Sequence, residues 1–322
     1  MKPRSRQLLS GGLIAALVTF AAAGCGSAAR TAGPGAGTST TIGSGAQGPG
    51  SGKPPVTLGT KNFTEELVLG QLYAQALRAK GFAVTLKSNI GASEVVDRKL
   101  SAREIDGYPE YTGTILSVLA HDSRRPTSAM DAYKRAARFE RRRGAVLLAM
   151  APAEDTDVLV TKPAYAQRHR LASLSDLARL GSSVTLAGPP EFRTRFNGFV
   201  GLQQDYGVTA LRFIPVKIGR QYEALDVGRA QVAAVFTTDG HLSQGGFTLL
   251  KDPRNIFGFQ NATFVVRRKV LAREGPAFAQ TLNAVSAKLS TQALRVMNAA
   301  VDLDQQRPDV VARQFLRANG MA

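Results

Sequence analysis

Residues 56–81 read VTLGTKNFTEELVLGQLYAQALRAKG. The apolar residues over Val56–Thr60 predict a β-strand. Beyond it, apolar side chains recur every three or four positions over Glu65–Lys80, which predicts an amphipathic helix with Thr64 as its N-cap. The stretch therefore contains a strand, a turn and a helix in succession, which is the building unit of α/β proteins.

The turn of this unit is the first candidate for a ligand contact. In open α/β sheets, ligands bind outside the carboxyl ends of the strands, where such turns lie. Lys61 and Asn62 occupy the turn, and we expect both to face a crevice. The segment 105–114 concentrates tyrosine, proline and threonine, and it is predicted to be a second turn, between a strand and a helix. Tyr108 within it is open to another interpretation, namely packing at the edge of the core.

The same alternation of apolar runs and amphipathic segments continues along the chain. Strands are predicted at Val56–Thr60, Ala83–Lys87, Ala145–Met150, Asp157–Thr161, Val184–Ala187, Arg212–Val216, Val232–Phe236 and Ala262–Arg267. Helices are predicted at Glu65–Lys80, Ser93–Ala102, Met130–Arg143, Ser175–Leu180, Phe196–Tyr206, Gln221–Val227, Gly275–Ser290 and Asp309–Ala318. This pattern favours an α/β fold with mostly parallel sheets.

Length and composition bound the possible functions. The 322 residues suggest two compact units plus tails, and the 44 % of hydrophobic residues suffices for two cores. The formal net charge is +17, but the basic residues of the segment 131–143 do not lie on one face and no series of aromatic residues interleaves them. We therefore expect no nucleic-acid binding. The three histidines are scattered and the single cysteine is Cys25, so we expect no metal site and no cofactor.

The first 55 residues are predicted to comprise a targeting signal and a flexible tether. Residues 1–25 are typical of a signal peptide, with an apolar stretch at Leu13–Ala23 that is too short to span a bilayer. Small residues before Cys25 resemble a bacterial lipobox, in which the cysteine is lipidated, although Ala22 stands where leucine is usual; the alternative is an ordinary signal peptide. Residues 26–55 are rich in Gly, Ser and Pro and predict a flexible tether. We expect an extracytoplasmic bacterial protein held at the cell membrane by a lipid.

The motifs of the remaining chain resemble the quaternary-amine-binding proteins, the glycine betaine, choline and carnitine receptors of osmoprotectant ABC importers. The matching segments, in family order, are Thr60–Glu65, Gly91–Val96, Tyr108–Thr114, Glu191–Arg195, Tyr222–Leu225 and Phe236–Gly240. The resemblance implies a two-lobed periplasmic-binding-protein fold of type II, with crossing segments near Met150–Thr156 and Gly258–Ala262. Lobe one would comprise residues 56–152 plus 262–322, and lobe two residues 153–261.

The resemblance also implies a binding site. Family members hold a quaternary ammonium in an aromatic cage and its carboxylate by basic and hydroxyl groups, which agrees with the attraction of ring faces for cations and of charged donors for carboxylates. Carried over by position, Tyr111 and Phe236 belong to the cage, Lys61, Thr114 and Arg195 to the carboxylate contacts, with Phe192 beside them.

Two positions depart from the family pattern, since Asp157 and Gln260 stand where cage tyrosines are usual. One interpretation is a ligand larger or more polar than glycine betaine, and for Asp157 one whose nitrogen keeps a proton. The other is that these loops are shifted by a residue or two and that Phe259 completes the cage. Both remain open at this point.

The function implied is that of an extracytoplasmic solute-binding component, which delivers a quaternary-amine or zwitterionic osmolyte to the permease subunits of an ABC importer. We expect no enzymatic activity. A hydrolase acting in the same cleft is the alternative from another class; Asp106 and Glu110 are its candidate acid and base, but their spacing across a proline does not fix a common target. A receptor that senses the ligand without transporting it is a further alternative.

Overall fold

The computed structural model describes residues 48–321. The predicted signal peptide, the lipidation site Cys25 and most of the predicted tether lie outside these residues. None of the helices within 48–321 combines the length and the apolar character that a membrane span requires.

Ten strands in the described part of the chain form two sheets of five strands each. They are β1 (Val56–Gly59), β2 (Val84–Lys87), β3 (Gly107–Tyr111), β4 (Ala145–Leu147), β5 (Asp157–Thr161), β6 (Thr185–Gly188), β7 (Arg212–Pro215), β8 (Val232–Phe236), β9 (Thr248–Leu250) and β10 (Ala262–Arg267). The first sheet has the order β2-β1-β3-β10-β4 and the second the order β7-β6-β8-β5-β9. Each sheet is the centre of one lobe.

Helices cover the sheets. The α-helices are α1 (Thr64–Ala79), α2 (Ser93–Ser101), α3 (Thr112–Thr114), α4 (Ala129–Arg142), α5 (Pro163–His169), α6 (Gly201–Tyr206), α7 (Gln221–Asp226), α8 (Arg268–Glu274), α9 (Pro276–Ser286), α10 (Thr291–Asp302) and α11 (Pro308–Ala318). Segments of 3₁₀ or π geometry occur at Ile115–Leu119, Leu174–Ser183, Pro190–Arg193, Phe196–Val200 and Gly240–Gln244.

Both faces of each sheet are buried. Along β10, Phe264 and Val266 pack into one apolar cluster and Val265 into another. Along β8, Ala234 and Val235 likewise belong to different clusters. Because successive side chains of a strand point to opposite faces, each lobe has one apolar layer above its sheet and one below, and helices close both.

One sequence prediction about the first sheet is wrong. Gly107–Tyr111, expected to be part of a turn, forms the buried strand β3, which runs parallel to β1 and antiparallel to β10. The proline misled the prediction, since proline lacks the N–H that a central strand needs. Beyond the Leu58–Gly107 pair, however, β3 keeps a ladder with β10 and not with β1, so Pro109 is tolerated. Tyr108 is fully buried.

The expectation of mostly parallel sheets is also wrong, because four of the eight strand pairings are antiparallel. All four involve β5 or β10. These are the strands that follow directly after the chain has passed from one lobe to the other. They enter the new sheet against the direction of its other strands.

The two segments that connect the lobes run side by side. The backbone N–H of Asp155 donates to the carbonyl of Gln260 (3.0 Å), and that of Ala262 donates to the carbonyl of Ala153 (3.1 Å). An antiparallel bridge joins Glu154 and Asn261. Lobe one here denotes residues 56–152 plus 262–322, and lobe two residues 153–261.

The lobes also touch at a glycine. Gly240, after β8, packs against Ala299 of α10 so closely that a Cβ atom built on Gly240 would lie 2.4 Å from the Ala299 Cα atom. Only glycine is compatible with this approach.

Candidate ligand-binding cleft

A cleft of about 620 Å³ lies between the lobes, beside the turn from β1 to α1. The structure brings all nine residues predicted for a ligand site to its walls: Lys61, Asn62, Tyr111, Thr114, Asp157, Phe192, Arg195, Phe236 and Gln260. The topology explains this convergence. Tyr111 and Phe236 are the last residues of β3 and β8, and Asp157 is the first of β5, so three strand ends meet at the gap between the sheets.

A row of three aromatic rings crosses the cleft. Phe63 stacks between Tyr111 and Phe236, with ring centroids 6.4 Å and 5.7 Å apart and interplanar angles of 26° and 22°. Phe63 and Tyr111 belong to lobe one and Phe236 to lobe two, so the row joins both walls. Phe63 was not among the predicted site residues, although it lies inside the Thr60–Glu65 motif that suggested the family.

The Lys61 ammonium is buried next to the aromatic rings and already forms ion pairs within the chain. Its Nζ lies 2.5 Å from Oε1 of Glu110 and 3.4 Å from Oε1 of Glu66, and 4.0 Å from the centre of the Tyr111 ring. Burial opposes its charge, but the two carboxylates outweigh burial and raise the pKa of Lys61. The resemblance implies a contact of Lys61 with the ligand carboxylate; in the structure, carboxylates of the chain itself hold it.

Tyr111 is fixed at its other end. Its hydroxyl donates to Oε1 of Glu65 over 2.7 Å, and the amide of Asn298 in α10 donates to Oε2 of the same carboxylate over 2.9 Å. Burial and the adjacent Glu65 charge raise the pKa of Tyr111 well above its usual range. The ring therefore cannot swing away without breaking a buried hydrogen bond to a charged group, which is among the stronger kinds.

Two carboxylates of lobe two face the cleft near Phe236. Asp157 lies directly opposite Phe236 in the β5–β8 ladder, and burial raises the pKa of its carboxyl to about 7, with Arg195 lowering it and Glu191 raising it. Asp155, on the first connecting segment, is buried and accepts a hydrogen bond from Thr238 over 2.6 Å. Burial and the Glu65 charge raise its pKa. Sequence reasoning missed Asp155, since no motif marks it.

Arg195 joins the lobes across the cleft. Its Nη2 lies 3.2 Å from both carboxylate oxygens of Glu94, in the first turn of α2. Burial raises the pKa of Glu94, but backbone hydrogen bonding and Arg195 together hold it below its usual value. Ser93, the first residue of α2, also lines the cleft and is buried. The positive end of a helix and a guanidinium therefore lie side by side, an arrangement that suits an anionic group.

Gln260 connects the cleft to the second connecting segment. Its Oε1 accepts hydrogen bonds from the backbone N–H of Thr114 (2.9 Å) and from the Thr114 hydroxyl (3.3 Å). Because the carbonyl oxygen of the amide is used in this way, Nε2 is the donor that Gln260, a lining residue of the cleft, can still offer. Phe259, the other candidate to complete the cage, does not line this cleft; it packs against the apolar cluster around β3.

Asp106 and Glu110, the candidate acid and base of a hydrolase, both interact with other residues of the chain. Asp106 accepts from Arg267 and from the backbone N–H of Thr57 (2.8 Å), and Glu110 pairs with Lys61. Neither residue lines the cleft. The structure therefore does not bring this pair to a position where a substrate could reach both.

Comparisons with known proteins agree with this architecture. Residues 54–318 match the family described as the substrate-binding domain of the ABC-type glycine betaine transport system. A glycine-betaine-binding protein of Pseudomonas aeruginosa is 32 % identical over 271 residues, which cover 81 % of this chain and 86 % of that protein. The glycine betaine-binding protein YehZ of Escherichia coli is 27 % identical over 278 residues, 83 % of this chain and 91 % of YehZ.

The solved structure of apo YehZ from Escherichia coli superimposes with a TM-score of 0.63 at 27 % identity, covering 83 % of this chain and 99 % of that one. The predicted two-lobed α/β fold is thereby confirmed. Because the family model spans most of the chain and a relative above 30 % identity is matched over four fifths of it, the protein belongs to the family of substrate-binding domains of ABC-type glycine betaine transport systems.

Proposed function

We propose that this protein is the extracytoplasmic solute-binding component of an ABC importer, and that its interlobe cleft binds a small zwitterionic or cationic amine of the glycine betaine, choline or carnitine type for delivery to the permease subunits. The observation that carries the proposal is the composition of the cleft. Aromatic rings and carboxylates face one part of it, and a guanidinium beside a helix start faces another.

The cation of the ligand binds beside Phe236 and Asp157 in this proposal. A methylated ammonium offers no N–H group, so ring faces are its best partners, and each contact stabilises by about 2 kcal/mol when water is excluded. The Tyr111 ring already has the Lys61 ammonium over it at 4.0 Å. The ring of Phe236 and the carboxylates of Asp157 and Asp155 therefore supply the attraction.

The anionic end of the ligand binds toward Arg195, Ser93 and Gln260. A carboxylate there replaces Glu94 as the partner of Arg195, and the amide of Gln260 supplies a further donor. Charge-assisted hydrogen bonds of this kind are the strong ones. Because Glu94 and Arg195 belong to different lobes, this exchange links occupation of the cleft to the contact between them.

The carboxylate of Asp157 bears on which amine is preferred. A nitrogen that keeps a proton donates a hydrogen bond to it, whereas a fully methylated nitrogen gains only Coulomb attraction. We propose that a ligand with a protonated nitrogen, or with a second polar group, binds more tightly than glycine betaine.

Isothermal titration tests the ligand class and its order. The purified protein is titrated with glycine betaine, dimethylglycine, choline, carnitine and ergothioneine, and compared with Asp157→Tyr, which introduces the residue that the resemblance implies at this position. We expect dimethylglycine to bind more tightly than glycine betaine, and Asp157→Tyr to shift the order toward glycine betaine. Absence of binding for the whole panel would contradict the ligand class; an order unchanged by Asp157→Tyr would contradict the role of Asp157.

Import and anchoring need separate measurements. Uptake of the radiolabelled ligand should be lost when the gene is deleted, and unchanged uptake would favour a sensing role. Cys25 is the proposed lipidation site, so Cys25→Ala should move the mature protein from the membrane fraction to the soluble fraction. A variant that stays in the membrane fraction would contradict the lipid anchor.

A further inference from the structure

A second cavity, of about 680 Å³, lies between the lobes next to the aromatic cleft. Phe63 and Phe236 line both cavities, and their stacked rings form the wall between them. Lobe one contributes the start of α1 and the end of α10 to the second cavity; lobe two contributes Tyr222 and the turn after β8. Residues of the Thr60–Glu65, Tyr222–Leu225 and Phe236–Gly240 motifs line it, but the resemblance places no ligand group on this side of the Phe63–Phe236 pair.

The second cavity is acidic. Glu65, Asp239 and Asp302 line it, and His241 is the one lining residue from the described chain that can become positively charged. The hydrogen-bond donors to these carboxylates are neutral: Tyr222 donates to Asp239 (3.0 Å), and Thr64 donates to Asp302 (2.6 Å). Burial raises the pKa of both carboxyls, that of Asp239 to about 7. Neither carboxylate forms a salt bridge with another described residue, and His241 is the only lining group that lowers the pKa of Asp302 by its charge.

An amide oxygen at this cavity also lacks a partner. Asn298 is 3 % exposed and lines the cavity. Its Nδ2 donates to Oε2 of Glu65 (2.9 Å) and to the carbonyl of Thr238 (3.0 Å). Since the Thr238 carbonyl can only accept, the orientation of the amide is fixed. Its Oδ1 is buried and accepts no hydrogen bond from the described residues, so it needs an N–H or O–H donor that the chain does not supply.

We propose that the second cavity binds a small organic cation bearing N–H groups, a guanidinium or a primary ammonium, separately from the amine in the aromatic cleft. Such a group donates to Asp239, Asp302 and Oδ1 of Asn298 while its charge compensates the carboxylates. The stacked rings of Tyr222 and His241, 4.4 Å apart, offer a face to a planar guanidinium. Fully methylated ammonium groups cannot donate to any of these acceptors.

This cation would bridge the lobes. Asp302 and Asn298 belong to α10 in lobe one, whereas Asp239 and Tyr222 belong to lobe two. The cationic group can come from an independent small molecule, or from the second charged group of a long ligand that passes the Phe63–Phe236 pair. Both sources present the same chemistry to the cavity.

The probe for the test is methylguanidinium chloride, titrated calorimetrically into the purified protein alone and into protein mixed with excess glycine betaine. We expect one equivalent to bind. Asp302→Asn and Asp239→Asn should each weaken binding at least about tenfold, because each removes a charge and keeps the shape. Asp226→Asn, an exposed carboxylate of lobe two paired with Lys162, is the charge-matched control and should leave binding unchanged. Circular dichroism checks that each variant is folded.

The outcomes separate the alternatives. Methylguanidinium binding that glycine betaine leaves unchanged identifies a site separate from the aromatic cleft, as both sources require, and binding that glycine betaine abolishes would overturn the proposal. A long diammonium, hexamethylenediamine, distinguishes the sources: displacement of glycine betaine and methylguanidinium together identifies the second group of a long ligand, and displacement of methylguanidinium alone identifies an independent cation. No binding of methylguanidinium, or equal binding by the wild type, Asp302→Asn and Asp239→Asn, would overturn the proposal. Because the titration into protein alone needs no amine in the aromatic cleft, failure of the proposed function would not obscure this result.

Discussion

The two walls of the aromatic cleft differ in how far their charges are compensated. On the lobe-one wall, the ammonium of Lys61 pairs with two carboxylates, and Tyr111 is bonded to Glu65. On the lobe-two wall, desolvation raises the pKa of Asp157 to about 7 although the Arg195 charge lowers it, and Arg195 itself pairs with a residue of the opposite lobe.

This difference indicates a division of roles. The wall of lobe one is built before a ligand arrives, since the Lys61 ammonium and the Tyr111 hydroxyl already have partners of the chain itself. The wall of lobe two presents charges that a ligand can compensate. Shape and position of the ligand are therefore set by lobe one, whereas much of the discrimination between ligands comes from lobe two.

The largest expected effect on the lobe-one wall is that of replacing Lys61. Lys61→Met leaves Glu66 and Glu110 buried without their cation, so we expect unfolding free energy to fall by about 3–5 kcal/mol. Lys99→Met is the control, because Lys99 and Glu104 form an exposed ion pair and such pairs contribute about 0–1 kcal/mol. Urea unfolding of both variants measures the difference. Equal losses would show that the lobe-one wall is not held by this ion pair.

On the lobe-two wall, Phe236 tests the ring contact. Phe236→Ala should weaken binding of a methylated cation by about 2 kcal/mol, or roughly thirtyfold, since a desolvated cation–π contact is lost. Phe236→Tyr keeps the ring and should bind nearly as well as the wild type. Calorimetric affinities decide; an unaffected Phe236→Ala variant would place the cation elsewhere in the cleft.

Arg195 tests the anionic end. Arg195→Ala should weaken carnitine or glycine betaine by about 1.5 kcal/mol, roughly tenfold, because a charge-assisted hydrogen bond is lost. Choline lacks a carboxylate and serves as the matched control ligand, with little change expected. Glu94→Gln removes the competing carboxylate of the chain and should strengthen zwitterion binding. If choline and carnitine lose affinity equally, Arg195 does not contact the carboxylate.

The smallest effect concerns pH. Burial raises the pKa of Asp157 to about 7, and a cationic ligand favours the ionised carboxylate. Affinity should therefore rise between pH 6 and pH 8, by at most about tenfold for one group. Asp157→Asn should flatten this rise, and calorimetry over the same range measures it. A wild-type profile as flat as that of Asp157→Asn would remove Asp157 from contact with the cation.

In the absence of ligand, the folding stability of the protein should change with pH in the direction opposite to the affinity. A carboxyl whose pKa is raised by folding contributes stability that is full below its ordinary pKa of 3.8 and is lost as pH rises toward about 7. The ligand-free protein should therefore lose stability from pH 5 to pH 8, and a saturating cation should reduce that loss. Thermal unfolding with and without ligand compares the two.

Periodicity and motifs located the elements that point toward the cleft. Strand and helix patterns are strong where one face is apolar, as over Thr64–Ala79, and the motifs lie at strand ends, which the topology brings together. The predicted N-cap was displaced by one residue: the helix begins at Thr64, whose hydroxyl donates to Asp302 instead. That contact is 238 residues distant in sequence, so local pattern could not reveal it.

The features that the sequence did not predict all depend on contacts between residues far apart in the chain. The sequence of strand β3 contains a proline and predicts a turn; only its pairing with β10 shows that it is a strand. Helix α10 was not predicted, and its Asn298 acquires meaning only beside Glu65 and Thr238. Asp155 lies in no motif, and Asp239 lies in the Phe236–Gly240 motif without having been singled out; burial raises the pKa of both carboxyls.

Where Gly240 approaches Ala299, the two lobes are in direct backbone contact. At this point the distance between the lobes is limited by backbone against backbone, because no side chain intervenes. A single methyl group at position 240 would therefore act as a wedge, and its size would be transmitted to the whole gap between the sheets. The separation of the lobes therefore depends on the absence of a Cβ atom at position 240.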